Sequence, residues 1–77
     1  MNPKITAKAI AKLEGKLESD LVSLNLRTTT PLTNEQIDQL MQFGGRLLYD
    51  GGIVAVVEIQ AGHIDDLAKW GNVLELL

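Results

Sequence analysis

The residues best suited to acid–base or metal chemistry are the single histidine and two aspartates that follow it, His63, Asp65 and Asp66. A histidine beside carboxylates can act as a base or as a metal ligand. One histidine with two adjacent aspartates, however, provides neither a full ligand set nor a nucleophile, and acids are common at the start of a helix. A structural role at a helix start is therefore the better interpretation.

Other catalytic patterns are absent from the sequence. The glycine pairs Gly44-Gly45 and Gly51-Gly52 lack the Lys-Ser/Thr ending of a phosphate-binding P-loop, and no serine lies in a nucleophile elbow. The chain has no cysteine, so disulfides and thiolate metal sites cannot form. We predict a protein that is not an enzyme, with no catalytic residues, no cofactor and no metal.

The charges near the start of the chain form a regular pattern. Lysines recur every four residues and acids follow them; the lysines are Lys4, Lys8, Lys12 and Lys16, and the acids are Glu14, Glu18 and Asp20. On a helix, a step of four residues turns a side chain by only about 40°, so the lysines would form one band. Bases at a helix N-terminus oppose the helix dipole, so the dipole does not explain the pattern.

Three explanations of this band remain open. It can be an ordinary solvated face, it can pair antiparallel with the same helix of a second copy, or it can contact an acidic partner. A two-fold pair would set the basic half of each helix against the acidic half of the other. Nucleic acid is the weaker form of the third explanation, because the band has no arginine, no aromatic residue lies nearby, and the net charge is −3.

The elements that would position these residues begin with a helix and a strand. Asn2 as N-cap, Pro3 at the first helical position and apolar residues three and four apart predict a helix over residues 3–22. Over residues 23–30 the apolar period becomes two, which predicts a strand that ends before Pro31.

A second helix is predicted from Asn34 by a capping box of Thr33 and Gln36. Its apolar face continues through Gly44 to Leu48, and a glycine on that face suggests close approach of the helix to a neighbouring element. Asp50 and the two glycines after it end this helix.

The remaining segments are a strand, a short helix and a tail. Residues 53–60 are rich in β-branched side chains and predict a buried strand, although periodicity alone also allows a helix. Residues 63–70 predict a two-turn helix, and the apolar tail Val73 to Leu77 is either a third strand or an extra helical turn. Residues 23–60 have the length of a strand-helix-strand unit. If the two strands are parallel, the connection between them is expected to be a right-handed crossover.

The predicted fold class is therefore α+β, in the order helix, strand, helix, strand, short helix and apolar C-terminal tail or strand. The alternative is a small all-α helical bundle. Seventy-seven residues predict one domain, 1–77, close to the lower size limit for independent folding. Small domains are often stabilised by disulfides, a metal or a second subunit. Since disulfides are excluded and no metal is predicted, we expect self-association to stabilise this one.

The functional prediction follows from the small size of the chain, its charge pattern and the absence of catalytic motifs. We expect a cytoplasmic protein with no membrane segment that acts as an interaction module, an adaptor or inhibitor of a larger protein assembly, and that forms a homo-oligomer. Its partner is expected to be another protein, contacted through the charged first helix or through the tail residues Leu74, Leu76 and Leu77. The alternative is a small-ligand or nucleotide-binding domain with a pocket near Arg27, Gly51, Gly52 and His63.

Overall fold

The structure is a computed structural model that describes all 77 residues. Three α-helices and four strands follow one another along the chain. They are α1 (Ala7–Leu13), β1 (Leu21–Thr28), α2 (Asn34–Gln42), β2 (Arg46–Asp50), β3 (Val54–Gln60), α3 (Ile64–Ala68) and β4 (Val73–Leu76), and a single 3-10 turn, Ala61–His63, leads into α3.

The four strands form one antiparallel sheet in the order β2-β3-β1-β4. From β1 onwards the connectivity is β-α-β-β-α-β, the split β-α-β arrangement of ferredoxin-like folds. The α+β prediction is confirmed and the all-α alternative is wrong. The two strands predicted around α2 are neighbours, but they pair antiparallel, because β2 intervenes in the chain between α2 and β3.

The first helix is much shorter than the predicted span of residues 3–22. It covers Ala7–Leu13 and begins with Thr6, not Asn2, as its N-cap. Gly15 has a φ of +73°, a conformation that a helix does not contain and that favours glycine. Leu17, one of the apolar positions of the predicted helix, is 71% exposed. The chain then turns into β1, so a helical face over residues 3–22 does not exist.

The second helix begins where the sequence predicts but ends earlier. Thr33 accepts a hydrogen bond from the backbone N–H of Gln36, and the Gln36 side chain accepts one from the N–H of Thr33, so the capping box is confirmed. The helix ends at Gln42, and Gly44 follows with a φ of +74°. The apolar residues after it, predicted to continue the helix, form the unpredicted strand β2.

The later predictions agree with the structure. Residues 54–60 are strand β3, and a short helix follows at Ile64–Ala68. The tail is strand β4, so its prediction as a strand is confirmed and the alternative of an extra helical turn is wrong.

All three helices contribute to a core on one side of the sheet. In β1 every second residue is buried, from Val22 to Thr28, and β3 alternates in the same way. These inward side chains join helix residues in one cluster of fifteen buried residues. The helix residues of that cluster are Ala9, Leu40, Ile64, Leu67 and Ala68.

The two edges of the sheet differ. Along β4, the N-terminal segment adds one bridge between Ile5 and Leu76, with the Leu76 N–H donating to the Lys4 carbonyl at 2.8 Å. No strand or bridge pairs with the outer edge of β2. One edge is therefore covered by the chain itself and the other is free.

Candidate interaction surface

The four lysines of the predicted band are not on one helix. Only Lys8 and Lys12 lie within α1, whereas Lys4 precedes it and Lys16 follows it. The Lys4 ammonium donates to the Trp70 carbonyl at 3.1 Å, and that of Lys12 to the Leu77 carbonyl at 3.0 Å. Two of the four ammonium groups thus bind backbone carbonyls on either side of the C-terminal strand β4.

The three acids lie in the connection between α1 and β1. Glu14 is the C-cap residue of α1, the Glu18 carbonyl accepts from Gly62, and the Asp20 carboxylate accepts from the Leu17 N–H at 2.8 Å. Basic and acidic halves of one long helix are therefore not available for antiparallel pairing. Contact of these side chains with a partner stays a prediction.

The tail residues have three different environments. Leu76 is fully buried in the core, whereas Leu74 is 43% exposed. Leu77 is half-buried, and its backbone exchanges two hydrogen bonds with Asn25, at 2.9 and 2.8 Å. The tail is an integral strand of the sheet, so insertion of Leu76 into a partner would require β4 to leave the core.

The residues of the alternative ligand pocket are not brought together. Gly51 and Gly52 form the turn before β3, and His63 follows the other end of the same strand. A seven-residue strand separates these ends by about 23 Å. Arg27 lies near the glycine end, opposite Val54, and its guanidinium pairs with Glu75 at 2.8 Å.

His63 has local partners. Its Nδ1 lies 3.0 Å from the Asp66 carboxylate, and its ring stacks on Phe43 with 4.8 Å between the ring centroids. The contact with Asp66 is local to α3, whereas the stacking on Phe43 connects the start of α3 to the end of α2. The structural interpretation of the histidine is therefore supported by its geometry.

The side of the sheet opposite the helices is uncovered. Residues that alternate with the buried positions of β1 and β3 face this side, and so do the residues that pair with them on β2 and β4. We call this surface the open face; it consists of Leu21, Ser23, Asn25, Arg27, Arg46, Tyr49, Val54, Val56, Glu58, Gln60 and Glu75.

Several large apolar side chains lie on the open face. Tyr49 is 60% exposed, Leu21 49% and Val54 46%. Tyr49 pairs with Val56 across the strands, and Val54 is two residues before Val56 on the same face. An antiparallel sheet commonly carries polar residues on its uncovered face, so an apolar area there marks a binding surface more often than single exposed residues do.

Two ion pairs neutralise the charges of the open face. Arg27 pairs with Glu75 at 2.8 Å, and Arg46 with Glu58 at 3.4 Å. Each arginine is more exposed than its carboxylate partner, 54% against 31% and 69% against 26%. The open face therefore has no net charge, and the molecule's net charge of −3 lies elsewhere.

Sequence reasoning missed most of this surface. The prediction that Gly44 lets a helix approach its neighbour closely is wrong, because Gly44 follows the end of α2. The closest approach is at Gly45 and involves a strand: a Cβ on Gly45 would lie 1.9 Å from the Glu58 carbonyl oxygen. The available signal for β2 was the run Leu47 to Tyr49 between charged residues, which also fits a helical spacing.

No group of three or more His, Asp or Glu side chains is placed to hold a metal ion. None of the helices has both the length and the apolar character needed to cross a lipid bilayer. No protein-family model matches the chain, and no significant match was found among curated proteins or solved structures. Functional interpretation therefore depends on the surface itself.

Proposed function

We propose that this protein is a non-catalytic interaction module, an adaptor or inhibitor of a larger protein assembly, and that the open face is where its partner binds. The observation that carries the proposal is the exposure of Tyr49 and Val54, which lie beside Val56 on the uncovered side of the sheet. Leu21, also exposed, lies at the other end of the same face. Burial of such side chains against a partner stabilises a complex by about 25 cal/mol per Å² of apolar area removed from water.

The composition of the open face favours a protein over a nucleic acid. The central strands β1 and β3 present no aromatic side chain there, although RNA-binding sheets use aromatics on central strands to stack bases. Its two arginines are already paired with carboxylates. A neutral surface with an apolar area and polar surroundings instead resembles the composition of a protein interface.

The test replaces one apolar side chain of the open face with a carboxylate. Val54→Glu should leave the free protein folded, because Val54 is 46% exposed and lies opposite Arg27 in the sheet. The matched control is Met41→Glu, because Met41 is 62% exposed on α2, on the other side of the molecule. Both variants should unfold within about 0.5 kcal/mol of the wild type.

Quantitative affinity capture from extract of the source cells compares the three proteins. We expect a partner that wild type and Met41→Glu retain equally and that Val54→Glu retains at least about tenfold less, a loss of about 1.4 kcal/mol in binding. Equal retention of every bound protein by both variants would place the contact away from the open face and overturn the proposal.

A further inference from the structure

The two arginines of the open face are only partly used by their ion pairs. Arg27 and Arg46 each contact a carboxylate through Nε, at 2.8 Å to Glu75 and at 3.4 Å to Glu58. No hydrogen bond within the molecule engages the Nη groups of either guanidinium, and both side chains are more than half exposed. The ion pairs therefore restrain the two guanidiniums and leave free the Nη groups, which can bind a further carboxylate.

The two arginines lie diagonally across the apolar part of the open face. Arg27 lies opposite Val54 on the inner strand β3. Arg46 lies opposite Glu58, four residues further along the same strand. Because β3 lies between β1 and β2, Val56 is midway between the two arginines. Four strand residues span about 13 Å and two strand spacings about 10 Å, so the Cα atoms of the arginines are about 16 Å apart.

Further positive charge borders the open face. Lys12 and Lys16 line a shallow groove together with Leu21 and Ser23, which belong to the open face. No side-chain carboxylate of the molecule lies within 4.0 Å of either ammonium group. The surface therefore offers cationic groups that the molecule itself leaves without an acidic partner.

We propose that the partner of the open face presents an amphipathic α-helix with an acidic residue at each end of an apolar stripe. A helix rises about 1.5 Å per residue, so the separation of the arginines corresponds to about eleven residues, or three turns. Residues eleven apart lie on nearly the same side of a helix. Their carboxylates bind Arg27 and Arg46, and the apolar residues between them cover Val56 and Tyr49. This inference rests on the proposed role of the open face in binding.

The first experiment uses three synthetic helical peptides that share one apolar stripe and a covalent staple on the outward side. The first peptide carries two glutamates eleven residues apart, the second carries glutamines in their place, and the third carries glutamates seven residues apart. NMR chemical shifts of the isotope-labelled protein follow binding with peptide up to about 1 mM, the range of a small contact. We expect the first peptide to bind at least about tenfold more tightly than either of the others.

The second experiment assigns this preference to the arginines. Arg27→Gln and Arg46→Gln should each weaken binding of the first peptide at least about threefold and leave that of the glutamine peptide unchanged. Lys69→Gln is the matched control, because it removes the same charge from an exposed residue at the end of α3. Val54→Glu should weaken binding of the glutamine peptide, since that peptide binds through its apolar stripe alone.

The outcomes separate the chemistry of the partner from the role of the surface. Equal affinity for the three peptides, an equal loss in Lys69→Gln and Arg46→Gln, or no binding of the first peptide up to about 1 mM would overturn the acidic helix. Tighter binding of a single-stranded RNA of about twelve nucleotides would also overturn it and assign the arginines to a phosphate backbone. Binding of the glutamine peptide that Val54→Glu does not change would instead count against the open face itself.

Discussion

The carbonyl oxygen of Leu76 accepts two hydrogen bonds from Thr6, one from its backbone N–H at 3.1 Å and one from its hydroxyl at 2.6 Å. The same hydroxyl accepts from the Ala9 N–H at 3.4 Å as the N-cap of α1. One short side chain therefore starts the first helix and fastens it to the last strand.

Replacement of this hydroxyl should weaken the fold. We expect Thr6→Val to lower the free energy of unfolding by about 1–2 kcal/mol, because it removes both the cap and a bond to a strand carbonyl. Thr6→Ser keeps the hydroxyl and should lose less than half as much. Urea denaturation followed by circular dichroism measures both, and a loss in Thr6→Ser as large as that in Thr6→Val would contradict the dominant contribution of the hydroxyl.

The capping box of α2 provides a second test of local stability. Thr33→Ala should cost about 1 kcal/mol, since it leaves the Gln36 N–H without its acceptor. Thr33→Asn retains a capping oxygen and should remain close to the wild type. Chemical denaturation of the three proteins gives the comparison; no loss in Thr33→Ala would mean that water replaces the cap without cost.

Gly45 should not tolerate a side chain. A Cβ at this position would meet the Glu58 carbonyl oxygen at 1.9 Å, so β2 and β3 would have to separate. We expect Gly45→Ala to lower the free energy of unfolding by about 3 kcal/mol or to prevent folding. Gly71→Ala is the control, because no atom lies within 4 Å of the added carbon and its φ is not positive. Thermal unfolding should show Gly71→Ala within about 0.5 kcal/mol of the wild type.

Thr28 carries a buried hydroxyl without a hydrogen-bond partner. The residue is 2% exposed, and its Oγ1 forms no hydrogen bond. Thr28→Val replaces the hydroxyl with a methyl group of similar size and should raise the free energy of unfolding by about 1 kcal/mol. Calorimetry should show a higher melting temperature; a lower one would indicate that the hydroxyl has a bound water or another partner.

The sequence was most informative where a structure depends on neighbouring residues. Thr33 and Gln36 form their capping box within four residues, so both the start of α2 and the side chains that cap it could be predicted. The alternation over residues 23–30 likewise identified the buried side of β1 at Leu24, Leu26 and Thr28, although the strand begins at Leu21, two residues earlier than predicted.

Prediction failed where distant residues decide between two local patterns. Leu47 and Leu48 continue the helical spacing of Leu40, but the strand β3 pairs with residues 46–50 and outweighs that spacing. Gly15 and Gly44 both end helices that the apolar pattern alone would extend, and their positive φ values are visible only in three dimensions. The open face could not be assembled from the sequence, because its location depends on which strands are neighbours.

The order of strands also has a consequence for folding. Strand β1 lies in the middle of the sheet, yet its first partner, β3, begins 26 residues after β1 ends, and β4 follows later still. During synthesis from the N-terminus, Leu24 and Leu26 are made long before Val57 and Leu76 can cover them. Such non-local pairing slows folding and prolongs the exposure of apolar strands. The nascent chain should therefore be most prone to aggregation before the hairpin of β2 and β3 has emerged from the ribosome.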